Sequence, residues 1–226
     1  MNSLLTAGER GVEIPMGRLA LPGTLAWPCH PSGIVLFAHG SGSSRLSPRN
    51  VAVAGQLREA GLATLLFDLL TPREATQRAN VFEIELLAER LRAATDWVIA
   101  QTEVAGLVPG YFGASTGAAA ALRAAAASGT PVGAVVSRGG RPDLAGDALP
   151  KVRAPTLLIV GSRDETVLEL NREACRRLTC PKQLLVIPGA THLFEEPGTL
   201  EEAGRSAAGW FVEHLVMVPR WHGERR

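Results

Sequence analysis

Three residues of this sequence could together activate an oxygen nucleophile: Ser115, Asp164 and His192. An unassisted serine hydroxyl is a poor nucleophile near neutral pH, so a base must take its proton during attack. A histidine can do this, while a carboxylate holds the imidazole in the useful tautomer and stabilises the imidazolium that forms. Ser115 lies in Gly113-Ala114-Ser115-Thr116-Gly117, after the apolar run Val108–Phe112 and before the alanine-rich run Ala118–Ala126. A G-x-S-x-G at a strand-to-helix junction is a nucleophile elbow, a tight turn that lifts the hydroxyl clear of a sheet. Asp164 is the expected acid, with its neighbour Glu165 as the alternative.

Attack on a carbonyl creates an oxyanion, which needs preorganised donors. Thr116 offers its backbone N–H directly after the nucleophile. The glycine-rich segment His39-Gly40-Ser41-Gly42-Ser43-Ser44 supplies the second candidate, Ser41, with Gly42 as the alternative donor. Gly42, Arg45 and Arg138 are expected to face substrate, and a guanidinium suits a substrate carboxylate through two parallel hydrogen bonds. The competing reading of Arg138 is a surface pair with Asp143. His39 is expected to support the glycine-rich loop from beneath, and Asp68 to anchor a loop.

The elements that must position these groups follow from hydrophobic patterning. Strands are predicted at Ile34–Ala38, Leu62–Phe67, Val108–Phe112, Val132–Val136, Thr156–Val160 and Gln183–Ile187. Helices are predicted at Pro48–Ala60 (closed by Gly61), about Val81–Glu103, the alanine-rich run, Val167–Leu178 and about Leu200–Val216. Alternating strands and helices imply a mostly parallel sheet covered on both faces, because each crossover needs a long connection. Gly11–Ile14 and Arg18–Trp27 read as a leading antiparallel ribbon, with Pro22-Gly23 as a turn signal. Between Val136 and Thr156 there is room only for a loop and a short helix, so no large lid domain is expected. The loops after residues 38, 67, 136 and 187 should form an open pocket beyond the strand ends.

The segments His39-Gly40-Ser41-Gly42, Gly113–Gly117, Gly161-Ser162-Arg163-Asp164 and Gly189-Ala190-Thr191-His192 resemble the α/β-hydrolase superfamily. Within it, the chain from about residue 12 to 216 is similar to dienelactone hydrolase-like proteins. The resemblance implies the order nucleophile, acid, histidine, and a serine hydrolase acting on a small ester or lactone without a cofactor. The namesake dienelactone hydrolases carry cysteine where this chain has Ser115, so a broader ester hydrolase is expected. Acyl transfer or perhydrolysis by the same triad, or a non-catalytic binding or accessory role, are the alternatives.

The bulk properties narrow the classes further. The 226 residues, 46% of them hydrophobic, suit one domain spanning 1–226 with a full core. A net charge of +1, with the arginines scattered, supplies no electrostatic reason for nucleic acid or an anionic membrane as partner. The expected partner is a small-molecule substrate, including a carboxylate-bearing one, and the expected state a monomer or homodimer. The glycine-rich loop lacks the G-K-[ST] of a phosphate loop and the G-x-G-x-x-G of a dinucleotide site. Cys29, Cys175 and Cys180 lack metal-site spacing and fit a reducing, cytoplasmic setting. No signal-like start is present in the sequence, and Arg220–Arg226 reads as a frayed end.

Overall fold

A single eight-stranded sheet organises the chain, in a computed structural model that describes residues 6–127, 129 and 131–215. Its strands are β1 (Gly8–Met16), β2 (Leu19–Trp27), β3 (Ile34–Ala38), β4 (Ala63–Phe67), β5 (Pro109–Ala114), β6 (Ala134–Arg138), β7 (Thr156–Gly161) and β8 (Lys182–Ile187). Their order across the sheet is β1-β2-β4-β3-β5-β6-β7-β8. The β1–β2 and β2–β4 pairs are antiparallel and the rest parallel. The Arg220–Arg226 tail lies outside the described residues.

The central strands β3 to β7 are buried along their whole length because both faces are covered, and most of their residues are apolar. On β3, Ile34, Leu36 and Ala38 join the core under α4 (Ile84–Val98) and α5 (Thr116–Ala126). Val35 and Phe37, on the opposite face, pack with α1 (Pro48–Glu59) and α7 (Thr199–His214). Each large apolar side chain fully buried in this way contributes roughly 1.5–3 kcal/mol. The short helices α2 (Pro72–Ala75) and α3 (Arg78–Val81) follow β4, and α6 (Glu165–Arg177) links β7 to β8. The β6–β7 connection contains only a kinked 3₁₀ segment, Pro142–Lys151, and no large lid.

Three expectations need correction. Pro22-Gly23 is not a turn: both residues lie inside β2, and the hairpin turns at Gly17-Arg18, where Gly17 has φ +68°. A side chain at Gly23 would press on Val12 Cγ2 at 3.0 Å and Phe67 Cβ at 3.1 Å, so its neighbours would have to shift by a few tenths of an ångström to admit one. The expected Val81–Glu103 helix is shorter. Its apolar repeat ends at Val98, and Val104, off the three-to-four-residue spacing, reaches the core through a 3₁₀ turn at Thr102–Val104. Strand β6 starts and ends two residues later than expected. Pairing with β5 (Gly110↔Ala134 to Ala114↔Arg138) carries polar Ser137 and Arg138 into the sheet despite their polarity.

Among the described residues, no helix is long and apolar enough to cross a membrane.

Candidate active site

The parallel strands deliver the loops after β3, β5, β6, β7 and β8 to one end of the sheet. At its centre, Ser115 joins β5 to α5 with φ +51° and ψ −122°, a conformation that L residues rarely adopt. Such strain costs on the order of 1–3 kcal/mol and persists only where the surroundings over-determine it. Here they do. The Ser115 N–H donates to the Arg138 carbonyl (3.3 Å), and its own carbonyl accepts from Ala118 (3.1 Å) and Arg141 (3.0 Å). Glycine at 113 and 117 is a packing requirement: a Cβ would lie 2.4 Å from Ala118 Cα and 2.0 Å from the Ala38 carbonyl oxygen, respectively. Asn171 of α6 donates to the Gly140 carbonyl (2.9 Å), holding the loop that clamps the elbow.

His192, on the loop after β8, places Nδ1 2.6 Å from Asp164 Oδ2, on the turn after β7. Glu165 instead opens α6 and is exposed, so the alternative acid is not the one brought to the histidine. The loop bearing His192 is secured by the Glu196 carboxylate, which accepts the Thr191 N–H at 3.0 Å. That bond holds Glu196 below the usual carboxylate range. Ser115 and His192 line one cavity of about 210 Å³. No hydrogen bond joins Ser115 Oγ to the imidazole in this structure.

The glycine-rich loop passes directly over the nucleophile. A Cβ on Gly40 would come within 2.9 Å of Ser115 Cβ. Ser43 N–H closes a turn onto the Gly40 carbonyl at 3.2 Å, and Gly42 supplies its left-handed residue at φ +68°. The Ser41 N–H points at the neighbour of the nucleophile, donating to Thr116 Oγ1 at 2.9 Å. The Thr116 backbone N–H opens α5, where the first-turn donors lack intrahelical partners. His39 acts as expected of a support. Its Nδ1 lies 3.0 Å from the Gly40 carbonyl, and Nε2 accepts the Leu69 N–H at 3.1 Å. Burial pushes the His39 pKa below 6.5, favouring the neutral ring this pairing requires.

The two candidate arginines part ways. Arg45 is committed to Asp68, through Nη1 at 2.6 Å and its backbone N–H at 2.7 Å, so Asp68 does anchor a loop. Arg138 instead lines the Ser115 cavity, 6% exposed. It does not pair with Asp143: Arg141 occupies that carboxylate at 2.9 and 2.7 Å. Arg138 Nε is buried without a partner, and the guanidinium stacks 5.5 Å from the Phe194 ring centroid. Burial, and secondarily the charge of Arg49, lowers its pKa to about 10, leaving it a cation at neutral pH.

Sequence reasoning missed Arg49 and Asn50, which line the same cavity from α1. Asn50 is 2% exposed and its Oδ1 has no partner. The available signal was a polar residue on the buried Asn50, Val53, Ala54, Leu57 face. The loop after β4 does not reach this cavity. Leu69 and Leu70 line a second, more apolar one of about 300 Å³, which Gly40, Ser41 and Ser43 share with the first.

The sheet order and the elbow between β5 and α5 place the molecule among the α/β-hydrolases. A solved dienelactone hydrolase from Anabaena variabilis is 53% identical, with a TM-score of 0.89 over 93% of this chain and 99% of that one. The chain belongs to the dienelactone hydrolase-like family of α/β-hydrolases, and this similarity supports a hydrolase. Est1E from Butyrivibrio proteoclasticus, 19% identical, shares the fold at a TM-score of 0.76 over 90% of this chain and 98% of its own. A Mycobacterium tuberculosis protein provisionally named a phosphoribosyl transferase is 61% identical over 207 residues, 92% of this chain and 47% of its own length. The chain thus spans about half the length of that protein and of its counterpart in a second Mycobacterium tuberculosis strain. No family profile matches the chain.

Proposed function

We propose that the chain hydrolyses a small carboxylic ester or lactone through an acyl-enzyme on Ser115. The observation that carries this reading is the 2.6 Å Asp164–His192 contact beside a serine held on a strained elbow. With Nδ1–H directed at Asp164, His192 Nε2 is the nitrogen left to accept the Ser115 proton. Ser115 Oγ then bonds to the carbonyl carbon, and the carbonyl electron pair moves onto oxygen. Collapse breaks the carbon–oxygen bond to the alcohol, which leaves with the proton from His192. Water repeats the sequence: it loses a proton to His192, attacks the acyl carbon, and collapse returns that proton to Ser115 Oγ as the carboxylic acid departs.

The substrate class is an ester or lactone bearing a carboxylate. A buried guanidinium without a counter-ion costs several kcal/mol, and an anionic ligand offsets that cost. Among the described residues Arg138 has no ion-pair partner; it is 6% exposed, its Nε is unpartnered, and it faces the Ser115 cavity. Serine in place of the namesake cysteine favours general ester chemistry over dienelactone itself. The transferase name of the longer Mycobacterium tuberculosis relative is not carried over, because the site here is built around a serine. The three free cysteines among the described residues fit a reducing, cytoplasmic compartment.

The test is exposure to an alkyl fluorophosphonate, followed by intact-mass analysis and peptide mapping. One adduct on Ser115, absent in His192→Ala, is the expected result. A folded protein that remains unlabelled would overturn the reading in favour of a binding role.

A further inference from the structure

We propose that the hydroxyl of Thr116, rather than the Ser41 backbone N–H, is the second donor to the oxyanion. The inference rests on the serine-hydrolase reading above and concerns which atom stabilises its transition state. Ser41 N–H is already engaged: it donates to Thr116 Oγ1 at 2.9 Å. A hydroxyl carries one donor and two acceptor sites, so accepting from Ser41 leaves the Thr116 O–H free to donate. Threonine in a helix commonly directs that proton back to a carbonyl three or four residues earlier. Thr95 does so here, donating to the Leu91 carbonyl at 2.8 Å. Thr116 makes no such bond among the described residues. It opens α5, so the residues three and four before it, Gly113 and Phe112, belong to β5 and not to a preceding helical turn.

Location supports the same assignment. Thr116 is 3% exposed and directly follows the nucleophile. It lines the 300 Å³ cavity together with Gly40 and Ser41, the two loop residues that also line the adjoining Ser115 cavity. On this proposal, a carbonyl oxygen bound at Ser115 meets two donors from the residue that follows it, the Thr116 backbone N–H and its hydroxyl. The Ser41 N–H stands behind the hydroxyl and polarises it, because a donor that is itself accepting a hydrogen bond is strengthened. The threonine side chain thereby becomes a catalytic group as well as the link between elbow and glycine-rich loop.

Thr116→Val removes the hydroxyl at nearly constant shape, and Thr116→Ser retains it. With a short-chain aryl ester, Thr116→Val should lower kcat about 100- to 1,000-fold with little change in KM, as for loss of one oxyanion donor. Inhibition by a trifluoromethyl ketone, which presents an oxyanion when captured by a serine, should weaken in parallel. Thr116→Ser should stay within a few-fold of wild type on both readouts. Thr116→Ala serves the same purpose if the valine variant fails to fold. Retained or increased kcat in a folded Thr116→Val or Thr116→Ala protein overturns the proposal, because release of the Ser41 N–H then suffices. Wild-type protein that resists fluorophosphonate overturns the hydrolase reading and this inference with it. Labelled, active wild type beside an active valine variant overturns this inference alone.

Discussion

Tyr111 and Arg138 are buried polar residues on neighbouring strands of one sheet, and they are treated in opposite ways. Tyr111, in β5, is 1% exposed and its hydroxyl meets Thr95 Oγ1 at 2.8 Å, while Thr95 donates to Leu91. Burial pushes its phenol up to about 12, so it remains a neutral hydrogen-bonding partner. Arg138 ends β6, is nearly as buried, and leaves Nε without any partner. A polar group satisfied within the frame belongs to the frame. One left unsatisfied beside the Ser115 cavity calls for another explanation, and the proposed carboxylate-bearing substrate supplies one. The same division separates Arg45, neutralised by Asp68, from Arg138, although both are arginines next to the glycine-rich loop or the elbow.

The comparison can be broken at several points. The largest effect is expected at the proposed triad: His192→Ala should reduce kcat about 10⁴-fold or more. Its unfolding midpoint should stay put, and a large loss of stability would make the His192–Asp164 pair structural. Next comes Arg138→Met. For a carboxylate-bearing ester, kcat/KM should fall about 10- to 100-fold, the scale of a lost hydrogen bond to a charged group. Neutral esters of matched size should be barely affected. Stability should rise, because an unpaired buried cation is replaced by an apolar chain of similar length. Equal losses on acidic and neutral esters would remove Arg138 from substrate recognition.

Tyr111→Phe is the converse experiment. Denaturant unfolding should show a loss of about 1 kcal/mol with kinetics unchanged. If activity fell while stability held, Tyr111 would belong with the site. The smallest effect concerns His39. Its folded pKa lies below the 6.5 of a free histidine, so the unfolded chain binds its proton first as pH falls. The stability associated with the neutral ring is present above pH 6.5 and is lost as pH drops through the lowered folded value. Urea midpoints at pH 8 and pH 5 should therefore differ less in His39→Gln than in wild type. An unchanged difference would mean that the ring does not hold the loop through its neutral form.

Much of this arrangement was legible beforehand, for identifiable reasons. Strand β3 and helix α1 match their expected spans closely because continuous apolar runs, Pro48 and Gly61 are strong local signals. The Ser115, Asp164 and His192 positions were readable because each sits in a short glycine-bearing loop that ends a strand. Pro22-Gly23 misled because a local turn signal can be overridden by pairing on both sides. The long helix broke for a comparable reason: burial of Val104 favours a 3₁₀ turn over continuing the α-helix. Asn50 carried one local signal, its place on the apolar face of α1, whereas nothing local distinguishes Arg49 from a solvent-facing arginine.

The sequence by itself determined which elements form and which residue types stand at the strand ends, since periodicity, capping and turn chemistry act over a few residues. Only the tertiary structure decided which charges meet. Asp143 lies five residues from Arg138 and two from Arg141, and it pairs with Arg141 because β6 runs two residues further than local patterning suggests. That shift draws Arg138 into the sheet beside Ser115 and, among the described residues, leaves its guanidinium without an ion-pair partner. The register with β5 is a long-range contact. It converts an arginine that could have been a surface residue into the most distinctive charge of the site.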